Sequence, residues 1–168
     1  MKLINVIGYS GSGKTHLIAH AIKKLKTELD LTITVIKNVH THKIDTEGKD
    51  SFEFSDAGAD FSIIKNKYNE VAIFFKKDLS LDRIIDLIIK LSDHVDLVFV
   101  EGFRDLKVPT ILCVENLEDI EAQLNPNIKM ISGLVSTKNH KKTRGQDLPI
   151  INMQTEFDQF LEIFGIRG

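Results

Sequence analysis

The sequence predicts an α/β fold: a mainly parallel sheet flanked by helices, with an antiparallel hairpin added. Three observations carry this. Short runs such as Leu97–Val100 and Ile111–Val114 are apolar throughout, as in strands buried on both faces. They alternate with segments of helical periodicity, the order that builds parallel sheets. Two β-rich runs, 61–65 and 70–75, stand too close together to enclose a helix.

In chain order, Leu3 to Ile7 reads as a buried strand that ends at Gly8. From Lys14 the pattern becomes helical, with Ile18, Ile22, Leu25 and Leu29 on one face. Leu31 to Ile36 reads as a second strand. A polar stretch follows, and Ser51 to Ala59 reads as a short helix. The runs 61–65 and 70–75 form the hairpin, with a turn near Asn66–Asn69. Ser80 caps a helix bearing Leu81, Ile84, Ile85, Ile88 and Leu91. Leu97–Val100, Ile111–Val114 and Met130–Val135 are further strands. Thr155 is expected to cap a last helix carrying Phe157, Phe160, Leu161 and Phe164, which ends at Gly165.

At 168 residues the chain suits one domain, 1–168, with 61–76 as its hairpin extension. The formal charge of -2 argues against a nucleic-acid partner, which selects for a basic face. No apolar run approaches the roughly 20 residues that span a bilayer, and the first apolar run is too short for a signal peptide. The lone Cys113, inside an apolar run, reads as a small core residue. Together these features point to the cytoplasm.

Gly8-Tyr9-Ser10-Gly11-Ser12-Gly13-Lys14-Thr15 matches the phosphate-loop pattern G-x-x-x-x-G-K-[ST] in full. Small residues let backbone N–H groups close around a polyphosphate, and the following helix adds the positive end of its dipole. Lys14 is expected to reach the outer phosphates and Thr15 to hold Mg²⁺. The nucleotide-contact set is Ser10, Gly11, Ser12, Gly13, Lys14, Thr15 and His16. The preceding strand and following helix give the match the context it requires.

A second Mg²⁺ group is expected at the carboxyl end of a neighbouring strand. Asp96 starts the apolar strand and falls at the wrong end; Glu101 ends it on the loop side. Glu101 is therefore favoured, with Gly102 letting the chain turn closely past the nucleotide. The polar stretch 37–51 also leaves a strand's carboxyl end, the position of switch segments in phosphate-loop proteins. Asp45 and Asp50 are candidate magnesium or water-positioning groups, and Lys37 and Lys49 candidate phosphate partners. His40 and His42 alone make a weak metal signature and read more simply as loop residues.

The phosphate loop, then Gly48-Lys49-Asp50-Ser51 with Ala57-Gly58-Ala59, then Val100-Glu101-Gly102-Phe103, resemble the molybdopterin-guanine dinucleotide biosynthesis protein B (MobB) family across roughly residues 1–115. Leu148-Pro149-Ile150 extends the similarity near the end. The resemblance implies a slow, usually dimeric GTP-binding protein that uses Mg²⁺ and assists the enzyme joining GMP to molybdopterin, with molybdopterin itself a further candidate ligand. It also places Asp45, Asp50 and Glu101 near the terminal phosphate, with Asp45 and Glu101 as metal groups beside Thr15. One departure is that Lys37 is followed by Asn38, where family members often carry a Lys-His pair.

There is no Asn-Lys-x-Asp signature for guanine. Ser136-Thr137-Lys138-Asn139 reads either as a base-reading loop, with Lys138 over the ring and Asn139 on the purine edge, or as a plain surface loop. Fast phosphoryl transfer needs an oriented water and an added cation worth ~10³–10⁵ in rate. No signature identifies that cation, although Arg104 follows the Glu-Gly-Phe turn. Slow hydrolysis is therefore expected. The main alternative is a small-molecule kinase or ligase using ATP, with the basic run 138–144 as a lid. A pure interaction module is a third, disfavoured by the intact Lys14 and Thr15. The apolar hairpin, marginal alone and open at its edges, is the expected homodimer contact.

Overall fold

The computed structural model describes residues 1–138 and 148–167. The described chain forms two compact units: 1–38 with 94–168, and 39–93. The sequence reading treats all of it as one domain.

The first unit holds five parallel strands: β1 (Lys2–Ile7), β2 (Ile33–Lys37), β5 (Leu97–Glu101), β6 (Thr110–Cys113) and β7 (Ile128–Ser132). Their order is β2-β5-β1-β6-β7, so β1 is central. α1 (Lys14–Leu29) makes the crossover from β1 to β2, over the position taken by β5. α4 (Phe157–Ile163) follows later in the chain. Strand residues alternate between two cores, as the pleat requires. Ile4, Val6, Ile111 and Cys113 face α1 and α4, against Leu17, Ala21, Leu25 and Phe160. Ile7, Leu112 and Val114 face the other way, against Ile120, Ile131 and Val135. The Phe157, Phe160 and Phe164 rings stack along α4 at 5.5 and 5.3 Å, which follows from their three- and four-residue spacing.

Chain direction decides where ligand chemistry can collect. From β1 the chain goes first to β2 and β5 on one side and only then to β6 and β7 on the other. At that reversal the connections leaving the carboxyl ends part and leave a crevice beside β1.

Asp96, just before β5, accepts a hydrogen bond from the Thr32 N–H at 2.8 Å. That bond, with His94 beside it, holds the carboxyl below its usual range. Asp96 thus fastens the amino ends of the strands, far from the phosphate loop.

The second unit contains α2 (Asp50–Asp56), the antiparallel pair β3 (Phe61–Lys65) and β4 (Val71–Phe75), and α3 (Leu81–Leu91). The hairpin is a separate two-stranded sheet. Asn66 builds its turn: its side-chain oxygen accepts from the Tyr68 and Glu70 N–H groups at 2.8 and 3.1 Å. Ser80 caps α3 as expected, accepting from Arg83 N. The Phe61 and Phe75 rings lie across the pair at 5.8 Å. On that face Phe61, Ile63, Val71 and Phe75 are exposed.

The fold class matches expectation: a parallel sheet flanked by helices, plus a separate antiparallel hairpin. Several boundaries differ by one to three residues, two of them for a visible reason. The expected strand Met130–Val135 is Ile128–Ser132, after which Gly133 turns the chain and Leu134–Thr137 forms a short 3-10 turn. The last helix is capped at Glu156 rather than Thr155, because the Glu156 carboxylate accepts from Asn152 N at 2.9 Å and fixes the entry.

Candidate functional site

β1 ends at Ile7, and the glycine loop rises from the crevice into α1. The amino end of α1 has no side-chain cap and no acidic residue in its first turn. Its first N–H groups have no carbonyl four residues earlier to bond within the helix. The Ser12 N–H is used inside the loop, bonding Tyr9 O at 3.3 Å. A positive helix end left in this condition fits an anion.

Two glycines hold the loop down. Gly8 has φ +146°, and a Cβ there would collide with Cys113 O of β6. Gly133, φ +88° at the end of β7, comes so close that a Cβ would strike Ser12 O. The Leu134 N–H donates to that same Ser12 O at 3.2 Å. The loop is therefore seated on main chain at Cys113 of β6 and at the Gly133–Leu134 turn after β7. Cys113 lies beneath it, fully buried, and burial pushes its thiol pKa up to about 12. It is a packing group there and not a nucleophile.

Lys14 lies over the loop, its ammonium donating to Gly8 O at 3.1 Å and Tyr9 O at 2.8 Å. The Arg104 guanidinium lies 5.5 Å from the centre of the Tyr9 ring and donates to Gln123 Oε1 at 3.2 Å. Lys14 and Arg104 thus bring positive charge beside the loop.

Glu101 ends β5, in register with Val6 on β1 and Lys37 on β2. Its side chain is 6% exposed and pairs with the Lys37 ammonium at 3.2 Å. The same ammonium reaches Thr15 Oγ1 at 3.4 Å. Glu101 and Thr15 therefore already face one positive charge, and a divalent cation suits that pair. Gly102 follows, its N–H bonding Val6 O at 3.1 Å, and Asn5 Nδ2 reaches Phe103 O at 2.8 Å. These bonds tie the turn after β5 to the central strand.

A pocket adjoins the start of α1 on its other side. It is lined by His16, Leu17, His20, Gly133, Ser136, Thr137, Asn152 and Gln154. Among the described residues, His20 Nε2 and Ser12 Oγ are buried without a hydrogen-bond partner.

The expected residues Ser10 to His16 are together on the loop and first turn, and Glu101 joins them. Lys138 instead bonds Glu115 O and Asn116 Oδ1, at 3.0 and 2.7 Å, after β6. Asn139 and most of the basic run 138–144 lie outside the described residues. Asp45 and Asp50 belong to the second unit. Asp45 is buried there, accepting from Ser51 Oγ at 2.8 Å and pairing with Lys76 at 3.5 Å. Asp50 opens α2. Gly133, His20, Asn152 and Gln154 were missed by sequence reasoning. Only Gly133 left a trace, a glycine inside an apolar run; the others match no motif.

A parallel sheet with a glycine loop at the carboxyl end of its central strand, opening into a helix, defines the P-loop class of nucleotide-binding folds. Within that class the chain belongs to the MobB family: the model for molybdopterin guanine dinucleotide synthesis protein B matches residues 3–136. The molybdopterin-guanine dinucleotide biosynthesis adapter protein of Haemophilus influenzae is 36% identical over 112 residues, 66% of this chain and 61% of that protein. A Methanocaldococcus jannaschii protein named for the same adapter role is 33% identical over 122 residues, 69% of this chain and 48% of its own length. The match thus spans about half to three fifths of these relatives. The crystal structure of Bacillus subtilis MobB has the same fold, with a TM-score of 0.76 at 24% identity over 99% of this chain and all of that one.

Gly133→Ala tests the seating of the loop. The substitution is expected to lower the thermal midpoint and weaken triphosphate binding at least about tenfold, because strain at positive φ adds to a collision with Ser12 O. Unchanged binding would show that the loop does not depend on this contact.

Proposed function

We propose that this protein is a GTP-binding adapter with slow hydrolysis, acting in the assembly of molybdopterin guanine dinucleotide. The observation that carries the reading is the amino end of α1, uncapped and without acidic residues, held open by the glycine loop with Lys14 over it. Its relatives are named as adapter proteins of that biosynthesis, which supports the pathway. The partner is then the enzyme that transfers GMP to molybdopterin, with molybdopterin itself a possible shared ligand. No described helix is long and apolar enough to cross a membrane, and composition favours the cytoplasm.

In this reading the loop amides and Lys14 neutralise the phosphates. Thr15 and Glu101 would hold Mg²⁺. The metal's contribution is charge neutralisation on the outer phosphates. Ser136, Thr137, Asn152 and Gln154 supply donors and acceptors for the base in the adjoining pocket. Arg104 is engaged with Gln123 and Tyr9. Slow turnover follows when no free arginine meets the developing charge.

The hairpin joins two copies. Phe61 and Ile63 are more than half exposed on one face, and a lone two-stranded sheet is marginal in water. Light scattering at tens of micromolar should give twice the chain mass, and Ile63→Lys should return the monomer. A wild-type monomer would refute the dimer.

Calorimetry with GTP and with ATP, each with magnesium, tests the central reading. GTP should bind more tightly, and Lys14→Ala should weaken binding by about 100-fold or more, the scale of a lost charge-assisted contact. Equal weak binding of both nucleotides, unaltered in Lys14→Ala, would refute it.

A further inference from the structure

Lys37 comes from the last position of β2, and its ammonium bridges the two oxygens that the nucleotide reading gives to magnesium: Glu101 Oε1 at 3.2 Å and Thr15 Oγ1 at 3.4 Å. We propose that Lys37 is a tethered cation that competes with the divalent ion for this pair, so that metal enters only when a nucleotide draws the ammonium onto its terminal phosphate. The inference rests on the magnesium-nucleotide reading and assigns Lys37 a positioning role within it.

Each part of the exchange has a structural basis. The Glu101 side chain is almost fully buried, and a buried carboxylate is costly unless a cation faces it. Parallel register with β2 puts Lys37 directly beside it, so the ammonium is always close at hand. Lys37 is half exposed, at 49%, so its flexible stem can swing away without opening the core. Two cations cannot share these two oxygens, since the charges would repel at contact distance. A free divalent ion must therefore displace an ammonium that is covalently close. A bound triphosphate at the mouth of α1 supplies the displaced ammonium with a new anion. By linkage, nucleotide then raises metal affinity and metal raises nucleotide affinity by the same factor, and Lys37 carries that coupling.

This differs from a purely structural ion pair in its sign. Loss of a structural partner would disorder Glu101 and weaken metal binding. Loss of a competitor strengthens it.

The probe is Mn²⁺ alone, followed by the electron paramagnetic resonance of the free ion, with the full chain lacking nucleotide. Lys37→Met and Lys37→Gln should each bind Mn²⁺ about tenfold more tightly than wild type, near the low end of ordinary coupling between sites. Lys37→Arg should stay as weak as wild type. The gain in magnesium-GTP affinity over GTP alone should shrink in Lys37→Met by the same factor. Unchanged or weaker Mn²⁺ binding by both neutral variants overturns the competition while leaving nucleotide binding intact. If wild type fails to bind GTP with magnesium at all, the nucleotide reading falls and this inference with it. A readout independent of any variant is the Lys37 side-chain ¹⁵N resonance in wild type. It should move between the free protein and the complex with GTP and magnesium, and an unmoved resonance overturns the exchange.

Discussion

The contact between the loop backbone and the turn after β7 is the constraint on which the site depends. Ser12 O is held by the Leu134 N–H, and the approach works only because Gly133 has no side chain. A loop floating free of the sheet would relax, and its N–H groups would turn to water or to its own carbonyls. Seated on β6 and β7, it has to enter α1 at a fixed angle. The helix then begins with donors that no side chain satisfies. The electrostatic preference for an anion at this point is thus a result of packing several residues away.

Sheet order supplies the other half of the site. β5 lies between β1 and β2, so its last residue falls beside both the loop and the end of β2. Glu101, Lys37 and Thr15 come from three elements far apart in sequence and meet at one point because parallel strands end together. Buried charge there is tolerated because it is paired. The same pairing makes the carboxylate available to another cation once Lys37 moves. Cys113, directly under the loop, carries no charge to disturb this balance, since burial holds its thiol protonated.

Much of this was legible in the sequence, for a specific reason. Phosphate binding by main chain needs particular residue types at fixed offsets, so the Gly8–Thr15 loop is written locally. Glu101 was also found, because strand direction alone separates it from Asp96. The 128–137 region was misread because Ile131, Leu134 and Val135 are equally apolar in a strand and in a 3-10 turn, and Gly133 is the only break. The Thr155 cap failed because a carboxylate one residue on bonds back to Asn152. Lys37 was read as facing phosphate charge, and its pairing with Glu101 was not foreseen. The placing of β2 beside β5 is a property of the folded sheet, joining segments about 60 residues apart in sequence. The residues lining the pocket beside α1 come from separate elements, and their adjacency exists only in the folded sheet.

Backbone amide shifts measure the central claim most directly. With ¹⁵N-labelled protein, adding GTP and magnesium should move the Gly11, Gly13, Lys14 and Thr15 amides downfield more than any others, as N–H groups do when they begin to donate to phosphate oxygens. Shifts centred elsewhere, with these four amides unmoved, would contradict the account.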